Sequence, residues 1–279
     1  MIENKVKETI KKYRLIKKNE KVLVATSGGK DSTVALYLLK KLGYNVSALF
    51  IDLGIGEYSK KNKENIIEFC EKEKIKLHIY SFKQEYGYSL CYIRDILKSK
   101  DKNIKACTVC GVLRRYMLNK TARKLKADMI VTGHNLDDEA QAILMNLFKA
   151  NTNVSARLGP IVGVIKDKKF IPRVKPLYFV PEDAIREFSK KKKFPVVYEK
   201  CPCVEEAYRN FIRNLLNEYE EKHKGTKKNI VKQFLLHLPE LKKKYSGKLS
   251  YCSTCKEPSA SEECNRCMLL KRLTLYNSK

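Results

Sequence analysis

No stretch of this 279-residue chain approaches the roughly 18 consecutive apolar residues that a bilayer crossing needs. Its first twenty residues, MIENKVKETIKKYRLIKKNE, hold no apolar signal-peptide core, so the expected location is cytoplasmic, with no membrane partner. The chain shows no internal repeat and no low-complexity segment beyond short lysine runs. With 43% hydrophobic residues it is expected to fold as one substantial core plus a small satellite module. Acidic residues are scarce: 31 stand against 58 basic ones, a net charge of +27, with lysine concentrated at 190–193, 222–228 and 242–244. A solvated lysine-rich surface explains part of that excess, but its size favours a polyanionic partner, above all nucleic acid. There is no cysteine before Cys70, yet ten follow in all. In a cytosolic chain they are expected as metal ligands or catalysts rather than disulfides.

The apolar segments set the architecture. A charged amphipathic helix is predicted over 3–18, a strand over 20–26 and a helix at about 31–42. "NVSALFIDLG" (45–54) reads as a second strand, "KLHIYSF" as a third and "DMIVTG" (128–133) as a fourth. Between them lie helical patterns, including the long "TVCGVLRRYMLNKTARKLKA", which opens at the first cysteine pair. This alternation predicts an α/β fold with a parallel sheet covered on both faces. Ligands gather at the carboxyl ends of such strands. After residue 150, five prolines in "KFIPRVKPLYFVPEDAIREFSKKKKFPVVYEKCPC" predict extended segments around one short helix, and 204–245 reads as helical and charged. The expected division is an N-terminal helix (1–19), a main α/β domain (20–180), a mainly helical extension (181–248) and a cysteine-rich module (249–279).

Four constellations carry chemistry. The first is the turn Ser27-Gly28-Gly29-Lys30-Asp31-Ser32 between strand and helix. Its glycines let the backbone approach phosphate, and the helix adds its positive end. Ser27 and Ser32 can donate hydrogen bonds, Lys30 can neutralise charge, and Asp31 can cap the helix or help hold Mg²⁺. The second is Cys107-Thr108-Val109-Cys110, which alone could be a redox pair, half a zinc site or part of an iron–sulfur centre. The third is Gly133-His134-Asn135-Leu136-Asp137-Asp138-Glu139, where helix capping would explain one or two carboxylates but not the whole string. His134 reads as structural. The fourth is Cys252/Cys255 followed by Cys264/Cys267, a four-thiolate spacing specific for a zinc ribbon. Lys256, Arg266, Lys271 and Arg272 beside it suit RNA. Cys70 and Cys91 lie alone in helical patterns and are expected as small buried hydrophobes.

SGGKDS resembles the PP-loop of the ATP pyrophosphatases, whose Rossmann-like, adenine-nucleotide-hydrolase-type domains cleave ATP between the α- and β-phosphates. Together with "CTVCGVLRRYMLNKTA" and "GHNLDDEAQAILMNL" it resembles the tRNA 2-thiolation group of that superfamily. The resemblance implies ATP and Mg²⁺ at Ala25, residues 27–32, Ile51, Arg114 and Gly133, with adenine near Ile51 and Asp52. It implies a [4Fe–4S] cluster on Cys107, Cys110 and Cys201, with Cys203 a rival third ligand. It also implies Asp138 near the reacting centre. Cys110 and Cys201 would deliver sulfur, from the cluster or through a persulfide. The implied partners are tRNA and either free sulfide or a small sulfur-carrier protein, in a monomer or homodimer. The second, N-terminal zinc finger of many relatives has no counterpart in this sequence. Two other readings compete. One is a PP-loop amidotransferase-type synthetase, which has no use for the three thiols; the other is a non-catalytic RNA-binding zinc-ribbon protein.

Overall fold

The computed structural model describes residues 2–199, 201–202, 208–247 and 249–277, with the side chains of 100 and 274–277 excepted. The chain opens with α1 (Ile2–Tyr13), β1 (Lys21–Thr26), α2 (Lys30–Lys41), β2 (Asn45–Asp52), α3 (Gly56–Lys72) and β3 (Leu77–Ser81). Next come α4 (Phe82–Tyr86), α5 (Leu90–Lys100), α6 (Ala106–Lys124), β4 (Met129–Val131) and α7 (Leu136–Phe148). The second half holds α8 (Thr152–Ser155), β5 (Ile161–Val162), β6 (Arg173–Val174), α9 (Glu182–Lys191), α10 (Tyr208–Lys222) and α11 (Thr226–Lys244). A hairpin of β7 (Ser250–Tyr251) and β8 (Pro258–Ser259) precedes α12 (Asn265–Asn277).

Six strands form one sheet in the order β3-β2-β1-β4-β6-β5, parallel except for β5. β1 is buried on both faces, as a central parallel strand must be. Val22 and Val24 point into a core shared with α1, α2, α3 and α9, through Ile10, Leu38, Phe69 and Ile185. Leu23 points the other way, towards α5 and α6, where it meets Leu97 and Leu113. Burying each such side chain contributes about 1.5–3 kcal/mol, so the strand is fixed from both sides. A third cluster packs α10 and α11 onto α7 through Ile212, Leu216, Val231 and Ala140.

The first helix stops at Tyr13 rather than reaching residue 18. Arg14 takes φ +49° and the chain turns back, with Leu15 N donating to Ile10 O. β4 is three residues long rather than six, because the chain after Thr132 leaves the sheet to cap α7. β5 and β6 are two-residue strands within the proline-rich segment. Cys70 is buried, and Cys91 is partly buried against the α5–α6 core. Among the described residues no helix is long and apolar enough to cross a membrane.

Candidate active site

The strand order reverses between β1 and β4: β2 and β3 lie to one side, β6 and β5 to the other. Connections leaving the carboxyl ends of two such strands diverge and open a crevice. The segments after β1 and β4 meet there directly. Asn135 Nδ2 donates to Asp31 Oδ1 at 2.9 Å. A Cβ on Gly133 would lie 2.6 Å from Ser32 N and 2.8 Å from the Asp31 carbonyl carbon, so glycine lets the two segments touch. Gly133→Ala should therefore cost about 1–3 kcal/mol of stability and displace the loop. Thermal unfolding together with nucleotide affinity checks this, and unchanged values for both would refute the close-packing role.

The 27–32 loop is shaped by its neighbours. Gly28 has φ +76°, and a Cβ there would come within 2.5 Å of Asn62 Oδ1. Asn62 Oδ1 is itself buried without a hydrogen-bond partner. Ser32 Oγ receives the Ser27 N–H at 3.2 Å and donates to Gly29 O at 3.1 Å. The N-cap of α2 is Gly29, with no side-chain cap. Asp31 therefore does not cap the helix: it sits inside the first turn, where its carboxylate turns to Asn135 and Lys30. The Lys30 ammonium lies between Asp31 (2.9 Å) and Glu182 at the start of α9 (2.8 Å). Burial disfavours its charge, but the two carboxylates outweigh that and raise its pKa, so Lys30 stays cationic. Such a loop, with glycine backbone, a helix N-terminus and a fixed cation, fits a nucleotide phosphate chain.

Asn135 caps α7 in a reciprocal box: it accepts from Asp138 N at 3.0 Å, and Asp138 Oδ2 accepts from Asn135 N at 3.3 Å. Capping thus occupies one oxygen of Asp138. The other faces Arg209 of α10 at 3.4 Å. Burial pushes the Asp138 carboxyl pKa up, and Arg209 opposes this. Asp137 accepts the backbone N–H of Glu182 and the ammonium of Lys227, and Glu139 pairs with Lys175 at 2.6 Å beneath the helix. Asp52 turns inward to its own loop, accepting from Gly54 N at 3.0 Å, while Ile51 is buried and Ala25 borders the α5–α6 core. His134 bonds Thr132 Oγ1 at 2.9 Å.

The thiols come to this crevice from two directions. Ala106, Val109, Leu113 and Met117 form the buried stripe of α6, which leaves Cys107 exposed and Cys110 half-buried at the helix start. Cys201 arrives on another segment. Val197 forms a parallel bridge with Gly29, its N–H donating to Gly28 O at 3.4 Å, and Cys201 follows four residues later. Burial raises the Cys110 thiol pKa, Arg114 and Arg115 oppose it, and Cys107 and Cys201 lie close enough to add to the rise. Three thiols with nearby guanidinium charge fit a cluster whose sulfurs sit on different irons, farther apart than around a single ion. Cys203 lies outside the described residues.

Among the described residues, one group of metal-ligating side chains brings all its donor atoms within 4.8 Å of one another: Cys252, Cys255, Cys264 and Cys267. Tetrahedral zinc at 2.3 Å from each sulfur implies separations of about 3.8 Å. Cys255 and Cys264 lie 3.6 Å apart, and Cys264 N donates to Cys252 Sγ at 3.3 Å. The thiol set fits zinc. The ribbon docks on α6, where Arg123 pairs with Glu257 and Arg266 stacks 3.9 Å over Tyr116. Stripping zinc with a strong chelator should raise amide exchange across 249–277 to that of unprotected chain, with β1 still protected. Full protection without zinc would mean that apolar contacts alone hold the ribbon.

Glu182, Arg209 and Lys227 carry no local sequence signal, since each meets its partner only through tertiary packing across 71 to 152 positions. Residues 1–220 match the family model described as a PP-loop domain. A tRNA-5-methyluridine(54) 2-sulfurtransferase from Pyrococcus horikoshii is 40% identical over 269 residues, covering 95% of this chain and 83% of that protein. The tRNA 2-thiolation protein NcsA of Haloferax volcanii is 34% identical, covering 90% of this chain and 82% of that protein. The solved U34-tRNA thiolase NcsA from Methanococcus maripaludis, with its [4Fe-4S] cluster, superposes with a TM-score of 0.82 at 30% identity, over 98% of this chain and 87% of that one. With its switch-point loops, gathered thiols and these matches, the chain belongs to the PP-loop family, in its tRNA 2-thiolation group.

Proposed function

We propose that this chain is an ATP-dependent tRNA 2-thiolase that exchanges the 2-carbonyl oxygen of a pyrimidine, with uridine favoured, for sulfur. One observation supports the reading: the 27–32 loop touches the segment that carries Asp138 and pairs with the segment leading to Cys201, which lies within electrostatic reach of Cys110. A synthetase using ammonia has no role for those thiols, and an RNA-binding module has none for Lys30 and its carboxylates.

In this reading the N–H groups of residues 27–32 and Lys30 hold the phosphate chain of ATP, and Asp31 contributes to Mg²⁺. Lys30 trades part of its contact with Asp31 and Glu182 for phosphate oxygens. Arg114 adds charge next to Cys110. Asp138, held by Asn135 and Arg209, takes the N3 proton of the flipped-out base, and the 2-carbonyl oxygen attacks the α-phosphate as pyrophosphate leaves. Adenylation turns a poor leaving oxygen into a good one, so hydrosulfide can displace AMP. Cys107, Cys110 and Cys201 would hold a [4Fe–4S] cluster, which would supply a position for sulfide to bind. Sulfide comes from solution or from a small carrier protein. The four ribbon thiols would hold zinc.

The test is anaerobic incubation of the protein with bulk tRNA, ATP, Mg²⁺ and sulfide, followed by nucleoside mass spectrometry. One 2-thio nucleoside is expected. RNA binding without any thiolated product would favour the binding-module reading instead.

A further inference from the structure

Helix α6 leaves the thiols and runs to the zinc ribbon, and its exposed side carries Arg115 one residue beyond Arg114. Arg115 Nε donates to Gly111 O at 2.7 Å, which tethers the guanidinium to the helix surface. One turn on, Asn119 clamps the chain entering β6: its Nδ2 donates to Lys169 O at 2.6 Å, and its Oδ1 accepts from Ile171 N at 3.0 Å. Arg173 follows two residues later, between Ile130 of β4 and Val162 of β5. Arg157 O accepts from Gly163 N at 3.0 Å, which ties Arg157 to the end of β5, the edge strand paired with Arg173.

These arginines therefore share one rim. Partial desolvation and the charges of Arg114 and Arg157 push the Arg115 pKa down, and desolvation with Arg115 does the same to Arg173. Among the described residues, Arg115, Arg157 and Arg173 form no ion pair, whereas Arg123 and Arg209 each have a carboxylate. Crowding like charges without a counter-ion costs energy that a bound polyanion offsets, and a guanidinium fork matches phosphate oxygens two at a time.

We propose that Arg115, Arg157 and Arg173 form a phosphate track for the RNA substrate, lying between the thiols and the zinc ribbon and holding the backbone beside the target nucleotide. The proposal rests on the reading of this chain as acting on tRNA and assigns where that RNA is gripped. The track begins at Arg114 and Cys110. It ends where Arg123 meets Glu257, so the ribbon's Lys256 and Arg266 continue its charge.

The test is bulk-tRNA binding to the full-length protein across a salt series, comparing the wild type with the triple variant Arg115→Gln, Arg157→Gln, Arg173→Gln. Each phosphate contact adds about 0.7 to 0.9 to the salt slope, so between 50 and 200 mM salt the wild type should lose about 20- to 40-fold more affinity than the variant. ATP affinity should not change. Arg157→Gln alone, at an exposed position, should carry about one third of the slope change and guards against a triple variant that misfolds. An unchanged slope and affinity in folded variants would overturn the proposal. So would intact tRNA binding with loss only of carrier-dependent thiolation, which would assign the arginines to a protein partner. Because binding needs no turnover, a wild type that binds with the full slope but never thiolates would sink the thiolase reading and leave the track standing.

Discussion

Cys110→Ser is expected to abolish thiolation and strip iron from anaerobically purified protein, while ATP and tRNA affinity stay at wild-type values. Cys110 is the thiol around which the others gather: it is half-buried, Cys107 and Cys201 lie within electrostatic reach, and Arg114 favours its ionised form. A serine hydroxyl does not ionise near neutral pH and cannot replace a thiolate on iron. Cys201→Ser should behave alike, since the Val197–Gly29 bridge brings that segment to the crevice. Cys91→Ala, on α5, should leave iron untouched. The readouts are iron and acid-labile sulfide per chain and 2-thio nucleoside per tRNA. Activity lost with iron retained would mean that Cys110 carries sulfur itself as a persulfide. Activity and iron both retained would remove Cys110 from the account.

Asp138→Asn should lower the thiolation rate by about 10² to 10⁴, equivalent to about 3 to 5 kcal/mol of barrier, with tRNA and ATP affinity little changed. Asparagine preserves the cap on α7 but cannot take a proton. Arg209 then offers a second reading of the same carboxylate. Burial raises the Asp138 pKa and Arg209 lowers it, so removing the guanidinium raises it further. If the anion is the active form, the rate falls as pH drops through that pKa. Arg209→Gln should therefore move the acid limb of the pH–rate profile to higher pH. A purely structural role for Arg209 would lower the rate equally at every pH and leave the limb in place.

Much of this architecture follows from short-range pattern. SGGKDS between an apolar strand and a helix, the acidic string after the fourth strand and the four ribbon cysteines are contiguous motifs, and each stands where its neighbours in sequence put it. Strand lengths were less legible: β4 breaks off early to serve a helix cap, and β5 and β6 owe their pairing to neighbours rather than to β-branched runs. The residues that hold the site's charges were not legible at all. Glu182 reaches Lys30, and Arg209 reaches Asp138, only because α9 and α10 pack back onto the sheet and onto α7. No spacing rule links such positions. Asp31 shows the converse: of its two local roles, capping α2 or helping to hold Mg²⁺, the first is excluded because the helix starts one residue before it, and its carboxylate turns to Asn135 instead.

The central claim is that the base's own oxygen is activated by ATP at the crevice where sulfur enters. The most direct measurement uses tRNA whose pyrimidine 2-carbonyl carries heavy oxygen, incubated anaerobically with the protein, ATP, Mg²⁺ and sulfide. The account predicts that the heavy oxygen leaves in the phosphate of AMP, one labelled AMP for each 2-thio nucleoside formed. Thiolation accompanied by unlabelled AMP, or by ADP and phosphate, would contradict it.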